Sequence, residues 1–551
     1  MAGGVGVTRR NRLGVAAFAA CSFLAFPQVI AGHEFDLGWV FAWLAPASLA
    51  IALGGLAARR AAWAGFWAGW LAHAAILHWI YVVTAIYGRA PAAVGVLAPI
   101  GLSLYMAAFT TVQGAAWAWL SRCGRAGPFA FAALWAALDH GRHFVASGFP
   151  WGVIGYAQHQ NPLLLGLAPY TGVVGLSFVT ALGGAGLALL LPGAAAGGRV
   201  SRRRSALAAL GCAALAMGAG ALSNARAERP AGGSIRVGLL QGNIDQGVKW
   251  SPAFADETMR VYEDLSRRAV AEGARLVVWP ETAVPGSVET EPGFGPRLAQ
   301  LAKELGVALV VGAVGVEPWQ DDYRFFDSAY VFDGSGARLD RYDKAHLVPF
   351  GEYLPARELL GRYIRAVATG IARDDVTAGQ GPRATTLPLD PDAGGPPAPP
   401  GAVSRGEAER PVPAGVPICY ELLFPGLVRG FAVDGAELLV AITNDAWYGH
   451  SGAPYQFLAI TALRSAETGL WTARAANTGI TAFIDDLGRV HEQTGVFERT
   501  LLVGDVPLRG PRQGSTFYVR HGDVFAGACW ASLAVFAILG ARWPRGERKP
   551  G

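Results

Sequence analysis

Charge is scarce in this chain of 551 residues: Asp, Glu, Lys and Arg make up 16% of it against 52% hydrophobic residues. That balance excludes an ordinary soluble protein and points to a membrane protein. Cysteine is sparse too, with five in all, and Cys21, Cys123, Cys212 and Cys529 lie in or beside apolar segments. The fifth, Cys419, stands in the polar part without a disulfide partner, either an inert buried thiol or a nucleophile. No Cys/His cluster has metal-ligand spacing, so no metal is expected. The glycines are scattered through apolar helices, where close packing explains them, rather than gathered in a phosphate-binding loop; no cofactor is expected. The net charge of +5 is not concentrated in a basic patch with interleaved aromatics, which argues against nucleic acid.

What charge there is, is segregated. Almost all acidic residues fall between about Glu228 and Asp523, whereas the first 225 positions are apolar blocks separated by arginine clusters. A spanning helix needs roughly 20 mostly apolar residues, and such runs occur near 13–31, 37–57, 62–83, 92–120, 128–146, 163–192, 205–222 and 522–541. Cytoplasmic loops carry the Lys/Arg excess. Arg9, Arg10 and Arg12 precede the first run, and Arg59 with Arg60, Arg122 with Arg125, and Arg199 with Arg202 to Arg204 follow the second, fourth and sixth. The tail after the eighth carries Arg542, Arg545, Arg548 and Lys549, whereas the His33-Glu34-Phe35-Asp36 loop is not basic. Eight spans with both termini cytoplasmic follow, with the polar domain on the outer face. Phe18-Ala19-Ala20-Cys21 is close to a lipobox, but the apolar run continues to Ile30, so the start is read as an anchor.

From Ile235 short apolar strands alternate with helical stretches, the pattern of an α/β layered domain. Strands are expected at 235–240, 274–279, 308–314, 328–332, 416–420, 437–443, 479–484 and 501–506, and helices at 254–272, 292–305 and 455–476. The Pro/Gly/Ala-rich tract at 390–413 cannot build a core and reads as a flexible surface insertion. The division expected is 1–225 membrane domain, 234–510 polar domain and 522–541 C-terminal span.

Three segments place reactive groups at strand ends: Val277-Val278-Trp279-Pro280-Glu281-Thr282, Arg341-Tyr342-Asp343-Lys344 through Glu352, and Pro417-Ile418-Cys419-Tyr420-Glu421. A thiol, a carboxylate and an ammonium are the parts acyl transfer requires, although spacing alone does not bring them together. Gln241-Gly242-Asn243-Ile244 with Lys249-Trp250, the Asn444-Asp445-Ala446-Trp447-Tyr448-Gly449 run, and Gly148-Phe149-Pro150-Trp151 complete a set of ordered motifs.

Together these segments resemble the nitrilase superfamily, and with flanking membrane spans the chain is similar to the apolipoprotein N-acyltransferase family. Asp139 departs from the pattern, where a glutamate is expected, as does the long Pro/Gly insertion. The resemblance implies a membrane α-helical bundle of about eight spans plus an α/β nitrilase-like αββα sandwich. It implies that Cys419 takes an acyl group from a phospholipid as a thioester, that Glu281 is the general base, and that Lys344 faces the oxyanion. The amine of a diacylated apolipoprotein then accepts the acyl group. Glu352 and Glu421 are candidate supporting groups. Tyr420, Trp447 and Trp250 are candidates for lining the lipid pocket, with core packing the alternative. Asn444 reads as a turn residue. In the apolar part, His73 and His78 read as structural, and Asp139, His140, Arg142 and His143 as capping a helix near the outer face. A hydrolase with the same triad is the alternative reading. A transporter would want paired broken helices, which the sequence lacks.

Overall fold

A computed structural model describes residues 6–191, 199–227, 230–247, 249–291, 293–320, 322–355, 375–389, 411–510 and 513–541. Most of the 390–413 tract and the basic C-terminal tail lie outside the described residues.

Apolar sequence in long blocks satisfies its backbone internally by coiling, and the first part is helical: α1 (Arg9–Leu24), α2 (Gly38–Leu53), α3 (Ala58–Ile76), α4 (Ala92–Arg122), α5 (Pro128–Gly141), α6 (Pro162–Leu165), α7 (Ala168–Leu190) and α8 (Arg199–Ala225). Among the described residues, Ala92–Arg122, Ala168–Leu190 and Ser201–Ala225 are long and apolar enough to cross a membrane, and Gly38–Leu53 and Val524–Leu539 are shorter apolar helices.

Several expected runs are shorter or broken, the one at 62–83 among them, whose α-helix ends at Ile76. The first helix stops at Leu24 because Pro27 follows, and the chain turns into a hairpin of β1 (Gln28–Ile30) and β2 (His33–Phe35). The run at 128–146 ends at Gly141. The run at 163–192 is two helices, and α7 itself is interrupted at Gly172, whose φ of 61° lies in the left-handed region that glycine tolerates. The backbone N–H of Val173, freed by that break, donates at 2.7 Å to Glu467 of the polar domain.

The polar domain contains two six-stranded sheets. The first has the order β14-β3-β4-β5-β6-β7, where β3 is Ser234–Gln241, β4 Leu276–Val278, β5 Ala308–Trp319, β6 Asp322–Phe332, β7 Arg338–Asp343 and β14 Thr500–Pro507. The second runs β13-β12-β11-β10-β9-β8, from β8 (Thr385–Leu387), β9 (Val412–Gly415), β10 (Leu438–Thr443), β11 (Thr472–Ala476), β12 (Ala482–Ile484) and β13 (Val490–Gln493). Period-two alternation sorts the side chains. Leu239, Val278 and Val310 join Val440, Ile442 and Ala475 in the core between the sheets. Leu240, Val277 and Leu309 point the other way, under α9 (Pro252–Ala271) and α10 (Phe294–Leu305). The second sheet is covered by α11 (Pro425–Val433) and α12 (Ala453–Thr468), and the chain closes with α13 (Phe517–His521) and α14 (Val524–Ala541).

Two expectations are corrected. The strand expected at 416–420 lies instead at Val412–Gly415, and a 3₁₀ turn begins at Cys419, whose φ of 46° is incompatible with a strand. The helix expected at 455–476 ends at Thr468, capped by left-handed Gly469 (φ 65°), and Thr472–Ala476 becomes β11, paired in parallel with β10.

Candidate active site

Strand direction assembles the site. β4 and β5 are parallel, β6 is antiparallel to β5 and β7 to β6, so β4 and β7 point the same way. Glu281 follows β4 and Lys344 follows β7 immediately, which brings both side chains to one edge. The approach is tight: a methyl group on Gly312 of β5 would collide with the backbone of Pro280 and Glu281. Gly312→Ala is therefore expected to destabilise the fold by about 1–3 kcal/mol, the range for overpacking, and to displace Glu281. Thermal unfolding alongside an acylation assay checks it, since a stability loss without loss of rate at low temperature would contradict the displacement.

Lys344 is fully buried, and its Nζ donates to Glu281 Oε1 at 3.0 Å, Asp327 Oδ2 at 3.1 Å and Glu352 Oε1 at 2.5 Å. Burial opposes a charged lysine, but Glu281, Glu352 and Asp327 around it raise its pKa well above the ordinary value. One oxygen from each carboxylate lies within 4.8 Å of the others, a grouping that would suit a metal ion, but the Lys344 ammonium already bonds all three. Burial pushes Glu281 upward, and the Lys344 ammonium, a hydrogen bond with Asp327 and the Lys249 charge together outweigh it, leaving this carboxyl below its usual range. Glu352 is held from its other oxygen by the Val348 N–H at 2.8 Å.

Cys419 is half-buried at the first position of its turn, in a left-handed conformation that a non-glycine residue adopts only when its surroundings impose it. Burial first, then the Glu281 charge, raises its thiol pKa well above normal, with Lys344 opposing. These surroundings disfavour the thiolate.

Glu421 ties the two halves of the site together. Its Oε1 accepts from Tyr342 Oη at 2.8 Å and from the N–H groups of Ala345 at 2.7 Å and His346 at 3.3 Å, and its Oε2 accepts from Ile418 N at 2.8 Å. One buried carboxylate thus fastens the Lys344 loop to the Cys419 turn. Burial lifts its pKa to about 7 despite these donors. Glu421→Leu, which strands four donors, two of them in buried bonds, is expected to slow acylation by about 100-fold or more through misplacement of the thiol. Glu421→Gln, which keeps acceptor capacity on one side only, should fall between. A Leu variant that keeps full rate would dismiss this linking role.

The remaining expected residues are placed as follows. Tyr420 is buried and donates its Oη–H to Gly148 O at 3.2 Å, against Phe424 and His346. Trp447 is half-buried on the turn after Asn444, and Trp250 is 49% exposed, with Lys249 Nζ 5.6 Å from its ring centroid. Asn444 accepts from Asn477 and donates to Gln246, a turn-holding role. His73 is buried on Gly69 O within its own helix, and His78 is exposed. Asp139 sits in the last turn of α5, accepting from Trp135 Nε1 at 3.1 Å, with Arg142 at 3.5 Å.

Three groups escaped the sequence reading. Asp327 is a buried aspartate inside an apolar strand, a signal that was available in Phe326-Asp327-Ser328-Ala329. Lys249 is buried and donates to Thr282 Oγ1 at 2.6 Å and Glu281 O at 3.3 Å, with burial lowering its pKa to about 8. Tyr448, rather than Trp447, enters an aromatic cluster with Trp79 at 5.0 Å and Trp151 at 5.9 Å between ring centroids, joining the polar domain to the helical part. Only the fold brings those rings together.

Comparison with known proteins agrees with this architecture. Residues 236–513 match the carbon-nitrogen hydrolase family, and residues 18–186 match the apolipoprotein N-acyltransferase N-terminal domain. An apolipoprotein N-acyltransferase of Geobacter metallireducens is 38% identical over 91% of each chain. Those of Azotobacter vinelandii and Pseudomonas putida are 36% and 34% identical, over 93% of this chain and 92% and 95% of theirs. With a hydrolase-type sandwich whose thiol, lysine and carboxylates meet beside an apolar helical part, the chain belongs to the apolipoprotein N-acyltransferase family.

Proposed function

We propose that the protein moves a fatty acyl group from a phospholipid to the N-terminal α-amine of the diacylglyceryl-cysteine of an apolipoprotein, through a thioester on Cys419. The observation that carries this reading is the Lys344 ammonium, caged by two buried carboxyl groups and a half-buried one beside a strained cysteine turn. Glu281 takes the Cys419 proton as sulfur attacks the ester carbonyl. Lys344 stabilises the oxyanion of the tetrahedral intermediate, and the ester C–O bond breaks as Glu281 returns the proton to the departing lysophospholipid oxygen. In the second half the amine attacks the thioester carbon, Glu281 accepts the amine proton and passes it to the departing sulfur as the C–S bond breaks, which leaves an amide and the free cysteine thiol. Glu352 neutralises Lys344, and Glu421 positions it. Tyr420, Trp447 and Trp250 line the lipid pocket, with the exposed Trp250 at its rim.

The layout proposed is 1–225 membrane domain, 234–510 catalytic domain and 522–541 C-terminal span. Eight spans in a bacterial inner membrane, with both termini cytoplasmic and the catalytic domain periplasmic, agree with the arginine clusters. Holding donor and acceptor in one plane raises their effective concentration at the thiol.

The test is intact-protein mass spectrometry after incubation with phospholipid, then with a diacylglyceryl peptide. A hydroxylamine-sensitive acyl mass that passes to the peptide as an amide is expected. Loss of the acyl group to water at the same rate without peptide would favour a hydrolase.

A further inference from the structure

Three carboxyl groups surround one ammonium in this site, and they are not equally supported. Glu281 is bonded by Lys344, and the second buried cation, Lys249, sits on its backbone carbonyl. Glu352 is bonded by Lys344 and by the Val348 N–H. Asp327 has Lys344 on Oδ2 alone, and its buried Oδ1 has no donor. As carboxylates, Asp327 and Glu281 are acceptors only, so neither can satisfy the other until one carries a proton. We propose that Asp327 is a neutral carboxylic acid in the resting enzyme, and that its Oδ1–H donates to Glu281 and aims that carboxylate at the thiol.

Three arguments support this. Ionising all three carboxyls would leave the buried site with excess negative charge before a thiolate adds another, and a shared proton is how closely spaced carboxyl pairs relieve such repulsion. Asp327 and Glu281 each accept one bond from Lys344, but the second oxygen of Asp327 is buried with no donor, so the proton resides there. Burial first, and then the neighbouring carboxylates, move its pKa well above the ordinary value while Lys344 opposes. The groups facing Asp327 are Lys344 from the end of β7, Glu281 from the end of β4, Glu352 from the following loop, and Lys249 from before α9. Asp327 is thus a positioning residue: it acts through Glu281 and moves no proton to substrate.

The proposal rests on Glu281 as the base, and the experiment separates the two. Thioester loading with phospholipid is followed by intact mass for the parent, Asp327→Asn, Asp327→Ala and Glu281→Gln in the full-length membrane protein, with infrared difference spectra of parent minus Asp327→Asn. Asparagine keeps both a donor for Glu281 and an acceptor for Lys344, so loading in Asp327→Asn should recover to within about tenfold of the parent. Asp327→Ala, lacking both, should lose about 100-fold or more, on the scale of general-base contributions. The difference spectrum at neutral pH should contain the C=O stretch of a protonated carboxyl. A folded Asp327→Asn as slow as Asp327→Ala, or a difference spectrum with only carboxylate bands, would overturn the proposal. Full loading by Glu281→Gln would instead overturn the base on which it depends.

Discussion

Cys419→Ala protein will take up no acyl mass from phospholipid and will transfer none to peptide, a loss of at least about 10⁴-fold, because removal of the nucleophile leaves no covalent route. The same variant should unfold within a few degrees of the parent, since alanine removes one half-buried sulfur and must still adopt the same left-handed conformation (φ 46°). Cys419→Gly separates the strain from the chemistry. Glycine enters that region freely, so the variant should be equally inactive and yet as stable as the alanine protein or up to about 1 kcal/mol more so. Thermal unfolding of the pair measures the backbone strain at the thiol. If the glycine protein is the less stable, the turn is not strained, and the thiol owes its placement to packing instead.

The second large effect is on stability as well as on rate. Lys344→Met removes the ammonium that bonds Glu281, Asp327 and Glu352 together. Breaking a buried ion pair by deleting one partner costs about 3–5 kcal/mol, and loss of the oxyanion cation should slow loading by about 10³-fold. The pH dependence has a definite sign. In the parent, the raised pKa of Lys344 contributes stability that is present at and below its ordinary value and lost only as pH rises through the raised one. In the variant the carboxyls have lost their cation, so burial and mutual repulsion raise their folded pKa values above the unfolded ones. The folded state then binds more protons than the unfolded state, and stability falls as pH rises. The melting temperature of Lys344→Met should therefore drop between about pH 5 and pH 8 more steeply than that of the parent. A variant whose melting temperature does not change with pH would mean that the carboxyls have found other partners.

The sequence made some of this visible and hid the rest for identifiable reasons. Apolar runs and arginine clusters located the helical stretches because length and hydrophobicity are local properties. Pro27, Gly141 and Gly172 shortened or broke three of them because turn geometry and tertiary donors override composition. Glu281 and Cys419 could be singled out because each stands in or directly after a short apolar run, where a reactive side chain is conspicuous, whereas Lys344 follows a charged stretch, Arg341-Tyr342-Asp343, and was marked by its motif. The strand expected through Cys419 was wrong because an alternation of apolar residues does not reveal a positive φ. β11 was hidden because Ala473, Ala475 and Ala476 continue the helical pattern of α12, and only Gly469 marks the change. Lys249 was passed over because its significance lies in distances across the sheet, not in spacing along the chain, and Asp327 because the aspartate within its apolar strand was left unread.

Tyr420, next to the thiol, is bonded to a carbonyl of the helical part; Gln456 bridges Trp151 and Pro27, and Glu467 sits on the N–H exposed where α7 breaks. Each bond pairs a catalytic-half side chain with a group that only the helical half provides. The sandwich is therefore not a portable module. Cut free of its helices, it would present a glutamate left with Arg464 alone, an unpartnered glutamine and a face of bare aromatic rings to water, and the turn carrying the thiol would lose the bond that anchors its neighbour. Exchange of this half between relatives would succeed only if the loops that receive it were exchanged too.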